Sequence, residues 1–414
     1  MRRIVFGALA LTGLAACNEP TRPADPAVTL PAAAAAVEQQ FTIRNLGTLG
    51  GTFSNGIGIN ERTEVSGFSD LPSGEVRAFL WRPGQGMRSL GTLGGANSFG
   101  VLLNDRSEVV GFSEIRPGSD VIRAFLWSQA RGMRGLGTLG GENSLAESIN
   151  NRTEVVGVSE NRNGRDRAFL WTPGRGMRSL GTLGGPSSHA VDINDASQVV
   201  GLSLNADGHD RAFLWTAARG MEDLGTLGGD FSVAIGISQT GVVVGFSEIS
   251  PGTGVFEAFL WTRGRGMRSL GTLGQTSIAF GINTHRRVVG SFAGAPGSNS
   301  LPFLWTAEGG LRELPTLGGD FGEGSYLNEF GHIVGRTTRA SGALRATLWT
   351  PTAGPLAVDP TGDAGAAEIA ASPGETREAT AALCALGRKW GEWSHYGSVA
   401  SRVCLAIRSN HWAE

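Results

Sequence analysis

The chain has 414 residues, 64 of them glycine, and a formal net charge of −2. That balance argues against a nucleic-acid binder, which needs a basic footprint for the phosphates. The length permits a large core, and the glycine content suits many short strands and tight turns.

In chain order, Arg2 and Arg3 precede an apolar run at 4–14 that ends in Leu14-Ala15-Ala16-Cys17. The run is too short to span a bilayer as a helix and reads as a secretion signal. Its end resembles a bacterial lipobox. The expectation is a signal peptide over 1–16, cleavage before Cys17, and a lipid on Cys17 that ties the protein to a membrane. Ordinary cleavage after a small-residue site is the rival reading. Asn18 follows where an Asp would signal inner-membrane retention, so the outer membrane or cell surface is the expected address. Loss of Arg2 and Arg3 leaves a charge of −4. The stretch 17–40 carries Pro20, Pro23, Pro26 and Pro31 and reads as a tether. Extended, it would reach ~70 Å at ~3.1 Å per residue.

A repeat occupies 41–350. Leu-Gly-Thr-Leu-Gly-Gly begins at Leu46 and returns at Leu90, Leu136, Leu180 and Leu224. Single changes mark the copies at Leu270 (Gln275) and Leu314 (Pro315). The spacings are 44, 46, 44, 44, 46 and 44 residues, which means one supersecondary unit used seven times. In the third copy a short strand near Ser144 meets the turn Asn150-Asn151-Arg152-Thr153. The β-branched strand Glu154-Val155-Val156-Gly157-Val158-Ser159 follows, then a polar loop and the strand Arg167-Ala168-Phe169-Leu170-Trp171. A turn at Pro173-Gly174-Arg175-Gly176 leads to the strand Met177-Arg178-Ser179-Leu180. No window shows helical periodicity. Each unit is predicted to be four antiparallel strands.

Ala-Phe-Leu-Trp is apolar on both faces, so it must be covered on both sides by stacked sheets. Its Trp recurs as Trp81, Trp127, Trp171, Trp215, Trp261, Trp305 and Trp349. Core packing is favoured over sugar stacking for these rings. Four-stranded units of this length predict an all-β, seven-bladed β-propeller, with an open solenoid as rival. A strand starting near Phe41 aligns with the fourth strand and can close the ring; 354–358 aligns weakly and is the other candidate. From each Ala-Phe-Leu-Trp alanine, or Pro302, to the next Leu is 12 residues. Length varies instead between the second and third strands. Those loops share an end with the Gly-rich phrases and make the expected binding face, unless length drifts there for want of constraint.

The ordered phrases Leu-Gly-Thr-Leu-Gly-Gly, Ile149-Asn150, Val-Val-Gly and Ala-Phe-Leu-Trp resemble the HAF-repeat family of bacterial extracellular proteins over about 41–350. The resemblance implies an extracellular location and repeat architecture, with no established activity. Arg77, Arg123, Arg167 and Arg211, and Glu257, stand where the family name has His.

No catalytic constellation stands out. There is no Gly-x-Ser-x-Gly and no His-Glu-x-x-His, and the Gly-rich phrase lacks the Lys of a phosphate loop. No cofactor or metal is expected. His189, His209, His285 and His332 fall at different repeat positions. His209 and Asp210, with His285 and Arg286, are the candidate ligand-face residues; a solvated turn is the plain alternative. Past 351 the pattern stops. The tail 351–414 is a linker and either a small cap or a poorly ordered end, with Cys384 and Cys404 a candidate disulfide in an oxidising compartment. The expected role is a monomeric, non-catalytic binding or scaffold module for a glycan or an envelope protein. The alternative is a propeller-type lyase or hydrolase acting at the channel mouth.

Overall fold

A computed structural model describes residues 40–294 and 299–352. The predicted signal, Cys17, the tether before 40 and the tail with Cys384 and Cys404 lie outside the described residues.

Among those residues the chain forms twenty-eight strands in seven four-stranded antiparallel sheets. It is a seven-bladed β-propeller. Blade 1 is β2 (Ser54–Ile59), β3 (Val65–Asp70), β4 (Val76–Arg82) and β5 (Gly86–Ser89), joined as a meander. The first strands of the next blades are β6 (Ser98–Leu103), β10 (Gly140–Ile149), β14 (Gly184–Ile193), β18 (Ser232–Ile237), β22 (Thr276–Ile282) and β26 (Gly318–Leu327). Each first strand touches the first strands of both neighbouring blades, β26 reaching back to β2. These strands therefore ring the axis, and the fourth strands form the rim.

The last blade closes the circle. It holds β26, β27 (Ile333–Arg339) and β28 (Leu344–Thr352), and its fourth place is taken by β1 (Gln40–Asn45). Gln40 pairs with Thr352 and Asn45 with Thr347. Phe41 and Ile43 are buried with Trp349, Ile333 and Leu327. The N-terminal segment is thus the closing strand, and 354–358 lies outside the described residues.

The core lies between blades. Each major cluster joins the Ala and Leu of one Ala-Phe-Leu-Trp strand to the Phe and Trp of the next. Ala124 and Leu126 pack with Phe169 and Trp171, and Ala168 and Leu170 with Phe213 and Trp215. Both faces of that strand are therefore covered. Six of the seven Trp side chains are buried and Trp305 is partly buried, as core packing requires. Arginines of the outer strands extend the packing. The Arg134 guanidinium lies 5.4 Å from the Trp171 ring centre and that of Arg178 lies 4.9 Å from Trp215, within cation–π range.

The constant 12-residue spacing has a cause. The N–H of the opening Leu donates to the carbonyl 12 residues earlier, as in Leu90 to Ala78 and Leu136 to Ala124 at 2.9 and 2.8 Å, and Leu46 makes the same bond to Ala346 across the closure. One difference from the sequence reading is local. In blades 3, 4 and 7 the first strand starts earlier, at Gly140, Gly184 and Gly318, inside the Gly-rich phrase. There the second strand runs to Asn161, Asn205 and Arg339, long enough to pair with those glycines.

Candidate functional site

The two ends of the propeller are chemically distinct. At one end lie the Gly-rich crossings between blades and the loops between second and third strands. At the other lie the turns between first and second strands. Consecutive antiparallel connections alternate ends, so His209 and Asp210, at a second-to-third connection, sit opposite His285 and Arg286, in a first-to-second turn. The four candidate ligand-face residues are not brought together. His285 Nδ1 instead lies 3.4 Å from Glu329 Oε2 of the next blade.

The loop-bearing end is built from repeated hydrogen bonds. Ser98 Oγ accepts from Ala78 N–H of the preceding blade at 3.0 Å and donates to Gly91 O at 2.6 Å. Ser54, Ser144, Ser188, Ser232 and Ser277 do the same. A second serine, as in Ser69, accepts from Leu49 N–H in the Gly-rich phrase. Carboxylates take the N–H groups that follow the phrase: Asp70 from Thr52 and Phe53, and Glu114 from Ala96 and Asn97. These amides are spent on the protein's own acceptors, so the phrase is no phosphate cradle. The Arg before Ala-Phe has a structural task too. Arg77 donates to Ala96 O, Arg167 to Pro186 O and Arg345 to Thr52 O, each in the next blade's crossing.

At the opposite end the repeated Asn forms a ring. Asn60 Nδ2 donates to Asn104 O, Asn104 to Asn150 O, Asn150 to Asn194 O and Asn194 to Ser238 O, at 3.0–3.1 Å. Asn283 reaches Asn328 O, and Asn328 reaches Asn60 O. The missing link runs from blade 5 to blade 6, where Ser238 replaces Asn. Each Asn Oδ1 also holds its own turn, as Asn60 does for the N–H groups of Arg62 and Glu64.

These turns put Thr63, Ser107, Thr153, Ser197 and Arg286 at positive φ, between 55° and 61°. That conformation is strained for a residue that carries a Cβ. Interlocking bonds hold it, since Ser107 Oγ donates to Glu64 Oε2 and Thr153 Oγ1 to Glu108 Oε2, each in the preceding blade. Burial works against the Glu64 carboxylate, but hydrogen bonds from Arg82, Ser107 and Asn60 prevail and hold its pKa below the usual value. The next residue makes a second ring. Glu61 N–H donates to Asp105, Asp105 to Asn151, Asn151 to Asp195 and Asp195 to Gln239. Burial, together with the Asp105 and Glu329 charges, raises the Glu61 pKa against the pull of a Glu329 N–H bond.

Symmetry breaks inside the channel. Three residues after each bridging Ser, or after Gly322 in blade 7, stand Ile57, Val101, Glu147, Val191, Ile235, Phe280 and Ser325. Six of these retain partial exposure while the residues two positions later are buried, so this ring faces the lumen. Glu147 is its one charged member. Its Oε1 lies 3.1 Å from Nε2 of His189, whose side chain is 5% exposed against 16% for Glu147. One step along, buried Asp192 accepts from Ser148 Oγ of blade 3 and from Ile237 N–H of blade 5. Burial pushes its pKa up to about 6. Tyr326 holds the equivalent place in blade 7. Burial, and then the carboxylates of Asp192, Glu329, Glu61 and Asp195, raise its phenol pKa well above the usual value. A further break lies within blade 7. Glu323 and Arg336 face each other as a cross-strand ion pair at 2.7 Å. Glu323 Oε1 and Asn55 Oδ1 are buried without a hydrogen-bond partner.

His189 and Glu147 are what the sequence reading missed. They are 42 residues apart, two short of the 44-residue period. That offset puts them on one strand face in adjacent blades, and a charge amid apolar counterparts was the signal. Among the described residues no group of three or more His, Cys, Asp or Glu side chains is placed to hold a metal ion.

Comparison with known proteins adds the fold alone. No family model and no curated protein matches the chain. Among solved structures, an oligogalacturonate lyase in complex with manganese is similar at 13% identity and a TM-score of 0.53, over 76% of this chain and 96% of that one. A puromycin-hydrolyzing peptidase of Mycobacterium tuberculosis is similar at 14% identity and a TM-score of 0.50, over 81% and 54%. TolB from Acinetobacter baumannii is similar at 13% identity with a TM-score of 0.43, over 70% and 67%.

Proposed function

We propose that this is a lipid-anchored bacterial surface protein of the HAF-repeat type that binds or scaffolds, without catalysis, through the loop-bearing end. The observation that carries this reading is the contrast at that end. The crossings are locked by repeated Ser, Arg and carboxylate bonds, while the loops above them differ. Loops 115–121 and 249–255, in blades 2 and 5, lengthen to seven residues. A rigid frame under variable loops is the arrangement of a recognition surface. The ligand class is a glycan or an envelope protein, and the anchor is a lipid on Cys17 with the 17–40 tether.

The test is capture from cell envelope and on glycan arrays by the unlipidated chain. Specific capture that disappears when loops 115–121 and 249–255 are shortened supports the reading. Turnover of a captured polymer overturns it. Metabolic labelling with a fatty acid, lost in Cys17→Ser, tests the anchor.

The second reading is a lyase or hydrolase acting within the channel, and the Glu147–His189 pair is the observation that favours it. A carboxylate beside an imidazole is acid–base chemistry in the right form. Both groups face a narrow wall, however, and His189 is buried, which suits a polymer substrate poorly. Activity on any glycan that is abolished in His189→Gln would establish it.

A further inference from the structure

The lumen ring contains one carboxylate whose second oxygen has no partner. Glu147 Oε1 is engaged by His189 Nε2 at 3.1 Å. Among the described residues Glu147 Oε2 has neither a hydrogen bond nor an ion pair, and neither the Ser325 nor the Tyr326 hydroxyl makes a hydrogen bond. The rest of the ring is aliphatic or aromatic. By blade order Glu147 in blade 3 faces blades 6 and 7 across the axis, which carry Phe280, Ser325 and Tyr326.

Carboxylates gather around this ring. Asp192 lies one residue further along in blade 4. Asp105, Asp195, Glu61 and Glu329 surround the axis at the turn end. Tyr326 feels Asp192, Glu329, Glu61 and Asp195 together. Several cations near it are committed, Arg336 to Glu323, His285 to Glu329, Arg62 to Glu64 and Arg152 to Glu154, with Arg106, Arg286 and Arg287 on the same turns. An apolar passage lined mainly by carboxylates concentrates cations. A single unsatisfied carboxylate oxygen amid apolar side chains recognises a cationic head on an apolar stem.

We propose that the channel binds a small organic cation, an ammonium group on an aliphatic chain. The ammonium donates to Glu147 Oε2 and the stem lies against Val101, Val191 and Phe280. His189 is a positioning residue: its hydrogen bond fixes the carboxylate and leaves one oxygen free. The Phe280 ring and the Tyr326 and Ser325 hydroxyls lie on the far side, where a ring face and lone pairs suit the remaining positive charge. A metal ion fits less well, since a lone carboxylate oxygen supplies too few ligands for a hard cation. This site is separate from the loop-bearing face and does not depend on what that face binds.

The test is isothermal titration calorimetry of the full mature chain with 1,5-diaminopentane at neutral pH and low salt, with 1,5-pentanediol as the uncharged counterpart. One-to-one binding of the diamine, absent for the diol, is expected. Glu147→Gln keeps an oxygen for His189 and removes the charge, so affinity falls at least tenfold. Glu222→Gln, on the outer rim, leaves it unchanged. If Glu147→Gln does not fold, Glu147→Asp makes the same comparison, because retracting the carboxylate weakens binding. No diamine binding by the native chain, equal binding of the diol, or equal affinity in the folded Glu147 variant each overturns the proposal. Loss of envelope or glycan capture through the loops would leave this result untouched.

Discussion

At the scale of single residues, exceptions to the repeat come in compensating pairs. Pro302 stands where other blades have Ala, and Gly322 where they have the bridging Ser. Proline has no N–H to give a serine oxygen. A Cβ on Gly322 would sit 2.9 Å from Pro302 Cδ, so the serine has lost its partner and its room. Gly322→Ser is expected to destabilise by about 1–3 kcal/mol through overpacking. Pro302→Ala alone exposes a buried N–H without an acceptor, at about 1–3 kcal/mol. The double variant restores the pairing of the other blades and should be more stable than the sum of the singles, which a thermal or urea double-mutant cycle measures.

Asp192 shows a different cost at the same scale. Its carboxyl is buried and its pKa is raised to about 6 from 3.8. A raised folded value means that the fold disfavours the charged form. The penalty is absent below about pH 3.8, grows as pH rises through that window, and is complete above about 6. At roughly 1.4 kcal/mol per unit it comes to about 3 kcal/mol. Native stability is therefore expected to rise between pH 7 and pH 5 relative to Asp192→Asn. Parallel pH profiles of the unfolding midpoint for the two proteins would contradict this.

At the scale of elements, strands were legible and their bonds were not. Ala-Phe-Leu-Trp is apolar on both faces, which the sequence shows directly, and burial between sheets follows. Asn60 and its counterparts read only as turn residues, because a lone sequence does not reveal that Nδ2 reaches the next blade. Arg77 and Arg167 likewise read as departures from a family pattern, though each guanidinium staples a crossing. The His285 and His209 candidates lie at opposite ends because face membership depends on which connection a residue occupies. The Asn ring carries its own prediction. Asn104→Ala removes two donated and two accepted bonds at a buried site and is expected to cost about 2–4 kcal/mol. Ser238→Asn supplies the absent link to blade 6 and is expected to gain up to about 1 kcal/mol. Unfolding midpoints of both variants, read against the native chain, test whether the ring works as a belt.

At the scale of the whole molecule, closure decides stability. Seven blades that each bury a face only against a neighbour leave two unprotected surfaces unless the last meets the first. Here β1 supplies the fourth strand of blade 7, so one sheet is built from both ends of the repeat array. Opening the ring must undo that sheet or an inter-blade core such as Val334, Ala346 and Leu348 against Phe79 and Trp81. A chain beginning at Gly47 loses Phe41 and Ile43 from the core, at about 1.5–3 kcal/mol each, together with the β1–β28 ladder. It also leaves β28 as an unpaired edge beside Trp349, which invites association with other chains. The truncated protein is therefore expected to melt well below the intact one and to form oligomers on size exclusion. A synthetic peptide of residues 40–46, added in trans, should restore the melting temperature with a saturating dose dependence, since it refills the vacated place in the sheet. A monomeric 47–414 chain that melts with the native protein would mean that β1 does not hold the ring shut.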